Sequence, residues 1–139
     1  MKKMILIAAS LVVISGLGFG YYMYNKPHED INKKIADFEV TASQLFNAFE
    51  SDEINANATY LDKVVYVKGT VQSVSTNDEG ITSITLETDD LMFGVICQLD
   101  QFSEHANKDF KEGEKVHFKG LCTGKLMDVV LVRCVEVKP

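Results

Sequence analysis

The sequence predicts a mainly β domain, a five-stranded barrel with one helix between its third and fourth strands, preceded by two short helices and an N-terminal membrane helix. Three observations predict it. Lys63 to Val74 alternates, with Val65, Val67 and Val71 in one row with Gly69, and Tyr66, Lys68, Thr70 and Gln72 in the other. An interior glycine in such a strand marks a bulge, a bend or a close backbone approach, and a bend at Gly69 would let one long strand serve both halves of a barrel. The run Val65-Tyr66-Val67-Lys68-Gly69 is then echoed 51 residues later by Val116-His117-Phe118-Lys119-Gly120, which predicts two partner strands with the same bend. Finally, the chain opens on a long apolar run without charge.

That run, Met4 to Tyr24, is 21 residues long. At about 1.5 Å rise per residue it reaches the roughly 30 Å of a bilayer core. A cleaved export signal would have a shorter apolar run and a better small-x-small site than Gly16-x-Gly18 or Gly18-x-Gly20, so residues 1–25 read as an uncleaved anchor, with an export signal as the alternative. No cysteine stands at the end of the run, so a lipoprotein anchor is not expected. Lys2 and Lys3 precede it, and the other flank holds Lys26 against two acids. The positive-inside bias therefore puts the N-terminus in the cytoplasm and the domain outside the cytoplasmic membrane, with Tyr21, Tyr22 and Tyr24 as an aromatic belt. Gly16 and Gly20 form one GxxxG, a weak pointer to a homodimer.

Residues 26–40 read as a polar spacer, with Ile31, Ile35 and Phe38 spaced as a short helical stripe. The domain itself is expected over 41–139. Thr41-Ala42-Ser43-Gln44 is a capping box, so a helix starts at Ala42 with Leu45, Phe46 and Phe49 buried. A second short helix runs from Glu53 to Thr59 and leads into the Gly69 strand. Thr76 to Gly80 is a turn by composition. Ile81 to Thr88 alternates with Ile84 and Leu86 inward, and Asp89-Asp90 turns the chain into a strand from Met92 to Leu99. Gln101 to Phe110 reads as a helix, with Phe102, Ala106 and Phe110 at spacings of four. Lys115 to Cys122, the turn Thr123-Gly124-Lys125 and a last strand from Asp128 to Val137 complete the chain.

Three strands in meander, a helix and two more strands make an OB-fold barrel, in which the first strand pairs with both the second and the fourth. The chain also resembles the tRNA_anti-like OB-fold family of bacterial envelope proteins. The matching text is Val40-Thr41-Ala42 with Leu45, Asn55-Ala56, Tyr60, Lys63 through Val71, Gly113 through Val116, Lys119-Gly120, Cys122-Thr123-Gly124 and Val129-Val130-Leu131. The resemblance covers roughly residues 38–137. It implies the fold and an envelope setting, and no established activity.

The chain of 139 residues carries a net charge of −6, and without Lys2, Lys3 and Lys26 the remainder has 11 basic against 20 acidic side chains. Such a surface repels polyanions. OB folds that hold single strands use aromatics on their second and third strands and a basic groove. Here only Phe93 is aromatic, and the adjoining turns carry Asp78, Glu79, Asp89 and Asp90, which argues against a nucleic-acid partner. No GxSxG, HExxH, P-loop or GxGxxG is present, so no enzyme is expected. His28, His105 and His117 are scattered and no CxxC occurs, so no metal or cofactor is expected.

Of the cysteines, Cys122 and Cys134 flank one hairpin. A regular pairing of 123 with 128 sets them some 17 Å apart at about 3.3 Å per residue. Cys97 and Cys134 lie on neighbouring parallel strands of an OB fold and are the candidate disulfide, with three buried reduced thiols as the alternative. The turn Lys125, Leu126 and Met127 is the candidate contact loop, because apolar residues exposed in a turn need a partner or a packing neighbour. The expected role is a non-enzymatic, membrane-anchored module, held through residues 4–24, that binds a protein or small envelope ligand. The alternative is a periplasmic haem or metal carrier like the single-anchor OB-fold haem chaperones. Their haem histidine lies in a tail beyond the last strand, and this chain stops at Lys138-Pro139.

Overall fold

The alternating stretch folds as one long strand, β2 (Val64–Thr76), with Val65, Val67 and Val71 fully buried. Its echo is β5 (Lys115–Lys125), paired antiparallel so that Val65 faces Gly120 and Gly69 faces Val116. Each glycine thus sits opposite the first valine of the other copy. The computed structural model describes residues 1–25, 30–101 and 109–138; most of the helix expected over Gln101 to Phe110 lies outside them.

Three further strands close the ring: β3 (Thr82–Leu86), β4 (Val95–Leu99) and β6 (Val129–Glu136). The order β2-β3-β4-β6-β5 returns to β2, giving a closed five-stranded barrel in which only β4 and β6 run parallel. Outward-facing pairs such as Thr85 with Ile96 alternate with buried ones such as Ile84 with Cys97. The core is the inner rows of all five strands, centred on Phe118, Ile84, Leu86 and Leu131.

Both glycines are places of close approach, one of the features that an interior strand glycine marks. A Cβ at Gly69 would stand 3.1–3.2 Å from the side chains of Leu86 and Ala42. One at Gly120 would stand 2.4 Å from Cys134 Sγ. Register irregularities lie between Val71 and Ser73, where β2 pairs with β3, between Cys97 and Leu99, where β4 pairs with β6, and between Cys122 and Gly124, where β5 pairs with β6. A further one falls at Gly120, where Leu121 faces Val132 but Lys119 faces Val135. The extra residue there includes Arg133 at φ 52°, and it returns Cys134 to the inner face, as a bulge does.

Helix α1 (Lys2–Tyr24) is apolar along its length, and none of it is buried. Helix α2 (Ala42–Ser51) starts on the expected capping box: the Gln44 N–H donates to Thr41 Oγ1 (3.2 Å) and the Thr41 N–H to Gln44 Oε1 (3.0 Å). Its stripe of Leu45, Phe46 and Phe49 is buried and packs against β2, β4 and β6. Burying each such side chain contributes about 1.5–3 kcal/mol. Helix α3 (Glu53–Tyr60) follows, capped by Asp52, whose carboxylate accepts from the Asn55 N–H.

The stretch read as a spacer differs most from expectation. In place of a helical stripe, residues 31–34 form turns, and Phe38–Thr41 is a strand, β1, parallel to the first half of β2. Val64, Val135 and Leu121 leave apolar surface on the outside of the barrel, and Ile31 and Ala36 cover it. The Asp37 N–H donates to the Val64 carbonyl (2.7 Å), and the Val64 N–H donates to Asp37 Oδ2 (2.9 Å). Lys119 Nζ donates to the carbonyls of Asn32 (3.0 Å) and Lys34 (2.7 Å). The packed unit therefore begins at Ile31, and the chain ahead of β1 is a strap across the barrel.

Candidate functional site

Two loops meet at the barrel end that α2 covers. The β3–β4 connection, residues 87–94, is built around Asp90. Its Oδ1 accepts from the N–H groups of Met92 (2.7 Å) and Phe93 (2.9 Å), while Thr88 Oγ1 donates to the Phe93 carbonyl (2.7 Å). These two backbone donors, Met92 first, hold the Asp90 carboxyl below the usual range. The β5–β6 turn, residues 126–128, is bound to that loop. Asp128 Oδ1 accepts from the Gly94 N–H (2.7 Å), and the Val129 N–H donates to the Gly94 carbonyl (3.1 Å). Gly94 is required there, because a Cβ would fall 2.4 Å from the Leu86 carbonyl oxygen. Asp89 fastens the pair to α2 by accepting from Asn47 Nδ2 (3.1 Å).

The braced loops carry Leu91 and Met92 on one side and Leu126 and Met127 on the other. Leu91 and Leu126 are each 94% exposed. Loops held by this many fixed hydrogen bonds present their apolar side chains at little further ordering cost. Lys125 belongs to the interior arrangement instead: its amine pairs with the Glu50 carboxylate and lies 5.2 Å from the centre of the Phe46 ring, tying β5 to α2. Of the predicted contact loop, then, Leu126 and Met127 face solvent and Lys125 does not. Leu91 and Met92 were not legible as site residues, because an apolar pair after Asp89-Asp90 reads as the start of a strand. That strand begins at Val95.

All three cysteines are free, buried thiols. Register places Leu131 beside Cys97 and Leu99 beside Cys134, so the candidate disulfide partners are two positions apart along β4. Burial pushes the Cys134 thiol well up, and the contact with Cys97 adds to the effect. Burial also raises Cys122, which faces Leu131 across the hairpin. Such thiols are poor nucleophiles.

His117 is half-buried on the outer face of β5, with Nδ1 2.7 Å from the Tyr66 hydroxyl. Beside it Lys68 pairs with Glu39, and that carboxylate raises the lysine's affinity for its proton. An open cleft of about 440 Å³ adjoins these residues between the start of α2 and the barrel. Its walls mix Lys68 and Lys115 with Glu87 and Asp89, so it offers no field of one sign.

A solved structure, that of a proposed nucleic acid-binding lipoprotein from Klebsiella pneumoniae, superposes with a TM-score of 0.58 at 16% identity, covering 81% of this chain and 100% of that one. At that identity the likeness is one of fold. No curated protein matches the sequence. The tRNA_anti-like family model matches residues 1–136, almost the whole chain, and with the barrel just described it places the protein: the chain belongs to the tRNA_anti-like family.

Proposed function

We propose that the protein is a non-enzymatic, membrane-anchored binding module of the bacterial cell envelope, and that it holds a protein partner on the paired loops at the α2 end of the barrel. The observation that carries this reading is the set of four apolar side chains, Leu91, Met92, Leu126 and Met127, exposed on two loops whose backbones are fastened to each other. Exposed apolar residues grouped in this way are typical of interaction surfaces. The Klebsiella protein's description suggests nucleic acid as the alternative partner. Against it, the outward side chains of β3 and β4 that would form an OB stacking platform are Ser83, Thr85, Ile96 and Gln98, with no ring among them. Asp78, Glu79, Asp89, Asp90 and Asp128 border the same surface, and they repel a phosphate backbone.

The test is a variant with all four apolar residues changed to serine, expressed as the full chain. It is expected to keep the circular dichroism and melting transition of the parent, because the replaced side chains lie in solvent, and to lose the envelope protein that cross-links to the parent. A cross-linked partner retained undiminished would remove the loops from the interface. Salt-sensitive binding of single-stranded RNA or DNA by the parent would favour the nucleic-acid reading. Alkaline phosphatase fused after Pro139 is expected to be active, as export of the domain requires.

A further inference from the structure

The strap carries an apolar residue that the fold leaves uncovered. Ile31 is buried against Val64 and Val135, whereas Ile35 is 92% exposed. Ile35 is held outward by a fixed backbone: the Lys33 N–H donates to the Asp30 carbonyl (3.1 Å), the Lys34 N–H to the Ile31 carbonyl (3.3 Å), and Lys119 grips the carbonyls of Asn32 and Lys34. Lys33 stands beside it with its side chain 86% exposed.

Chain length supplies the second observation. Helix α1 ends at Tyr24, and among the described residues Ile31 is the first buried one of the barrel unit, so the tether between these two points is at most the six residues 25–30. Fully extended at about 3.3–3.6 Å per residue it reaches no more than about 25 Å. A domain of about 100 residues has a radius of gyration near 13 Å and hence a diameter of roughly 34 Å. The tether is shorter than the body it holds and joins that body at the strap. The strap therefore stays within that reach of the surface α1 emerges from and cannot occupy the pole of the body furthest from it.

We infer that the turn at residues 32–35 is a lipid contact: Ile35 enters the interfacial region of the bilayer, and Lys33 lies at the level of the phosphate headgroups. This rests on reading α1 as a membrane anchor. An apolar residue close to an exposed lysine suits that interface, where the charge stays hydrated and the alkyl group does not. The contact uses none of the residues of the Leu91 and Leu126 loops, which stay available to a partner.

The chain contains no tryptophan, so Ile35→Trp and, separately, Leu126→Trp each introduce a sole reporter at an exposed position. Each full-length variant is reconstituted into vesicles of phosphatidylcholine and phosphatidylglycerol, with and without brominated acyl chains. The Ile35→Trp emission is expected to shift to shorter wavelength and to lose most of its intensity to the brominated lipid, while Leu126→Trp emits as in water and is not quenched. Water-like, unquenched emission from Ile35→Trp in protein that stays in the vesicles through a carbonate wash would overturn the lipid contact and leave the anchor standing. Equal quenching at both positions would overturn it too, since the strap would then not be distinguished. Protein stripped off by carbonate would overturn the anchor reading, and the lipid contact with it.

Discussion

At Gly120 the barrel has no room for one more methyl group. The Cβ of an alanine there would stand 2.4 Å from Cys134 Sγ and 3.1 Å from the Val132 carbonyl oxygen, in a core where β6 has already been bulged to turn Cys134 inward. Overpacking of this kind costs about 1–3 kcal/mol, so Gly120→Ala is expected to lower the urea midpoint of unfolding by a corresponding amount. Cys134→Ala removes the nearer obstacle. The double variant should recover part of the loss, and a thermodynamic cycle over the four proteins measures that coupling. Strict additivity would mean that the sulfur is not what excludes the methyl group. The same crowding explains why the echo of Val65 to Gly69 in Val116 to Gly120 ends in glycine both times, although the neighbours at the two sites differ.

At the scale of an element, the β3–β4 loop owes its shape to one carboxylate. Asp90 accepts from the Met92 and Phe93 N–H groups, and those bonds favour its charged form, so its folded-state proton affinity is lower than in the unfolded chain. A depressed carboxyl contributes its stabilisation above the unfolded value and loses it as pH falls through the folded value. The side chain is exposed, and the effect is local to the loop. Carbon-detected NMR titration is expected to place the Asp90 midpoint below that of an ordinary aspartate, with the Met92 and Phe93 amide shifts following the same curve. Partner binding at Leu91 and Met92 should weaken over that acidic range. Amide shifts indifferent to the Asp90 titration would show that the loop is held by Thr88 and Asp128 alone.

For the molecule as a whole, the decisive segment is the strap. The barrel closes on its own through β2 and β5, yet Val64, Val135 and Leu121 lie on the outside of that closure under Ile31 and Ala36. A chain beginning at Asp30 should fold cooperatively. A chain beginning at Phe38 should lose at least the roughly 1.5–3 kcal/mol that burial of one isoleucine contributes, and it should expose apolar surface that promotes self-association. Thermal melting and light scattering of the two chains compare them directly. Equal stability would return the strap to the status of a linker and would lengthen the tether on which the membrane contact depends.

The sequence by itself determined the parts that local physics dictates. The alternation of β2 and β5, the Thr41–Gln44 capping box, the stripe of Leu45, Phe46 and Phe49, and the uncharged span of α1 each express a period or a cap that needs no distant partner. Element order then sufficed for the barrel, because few topologies join three strands, a helix and two strands. The tertiary structure alone decided what depends on contacts remote in the chain. Ile31 reads as part of a helical stripe until Val64 and Val135 are seen to leave a gap that it fills, and Phe38–Thr41 reads as spacer until the edge of β2 offers it hydrogen bonds. Leu91 and Met92 join Leu126 and Met127 only because Gly94 and Asp128, 34 residues apart, bond to each other. Lys125 leaves the predicted contact loop for the same kind of reason: the Glu50 carboxylate and the Phe46 ring, far from it in sequence, take up its amine.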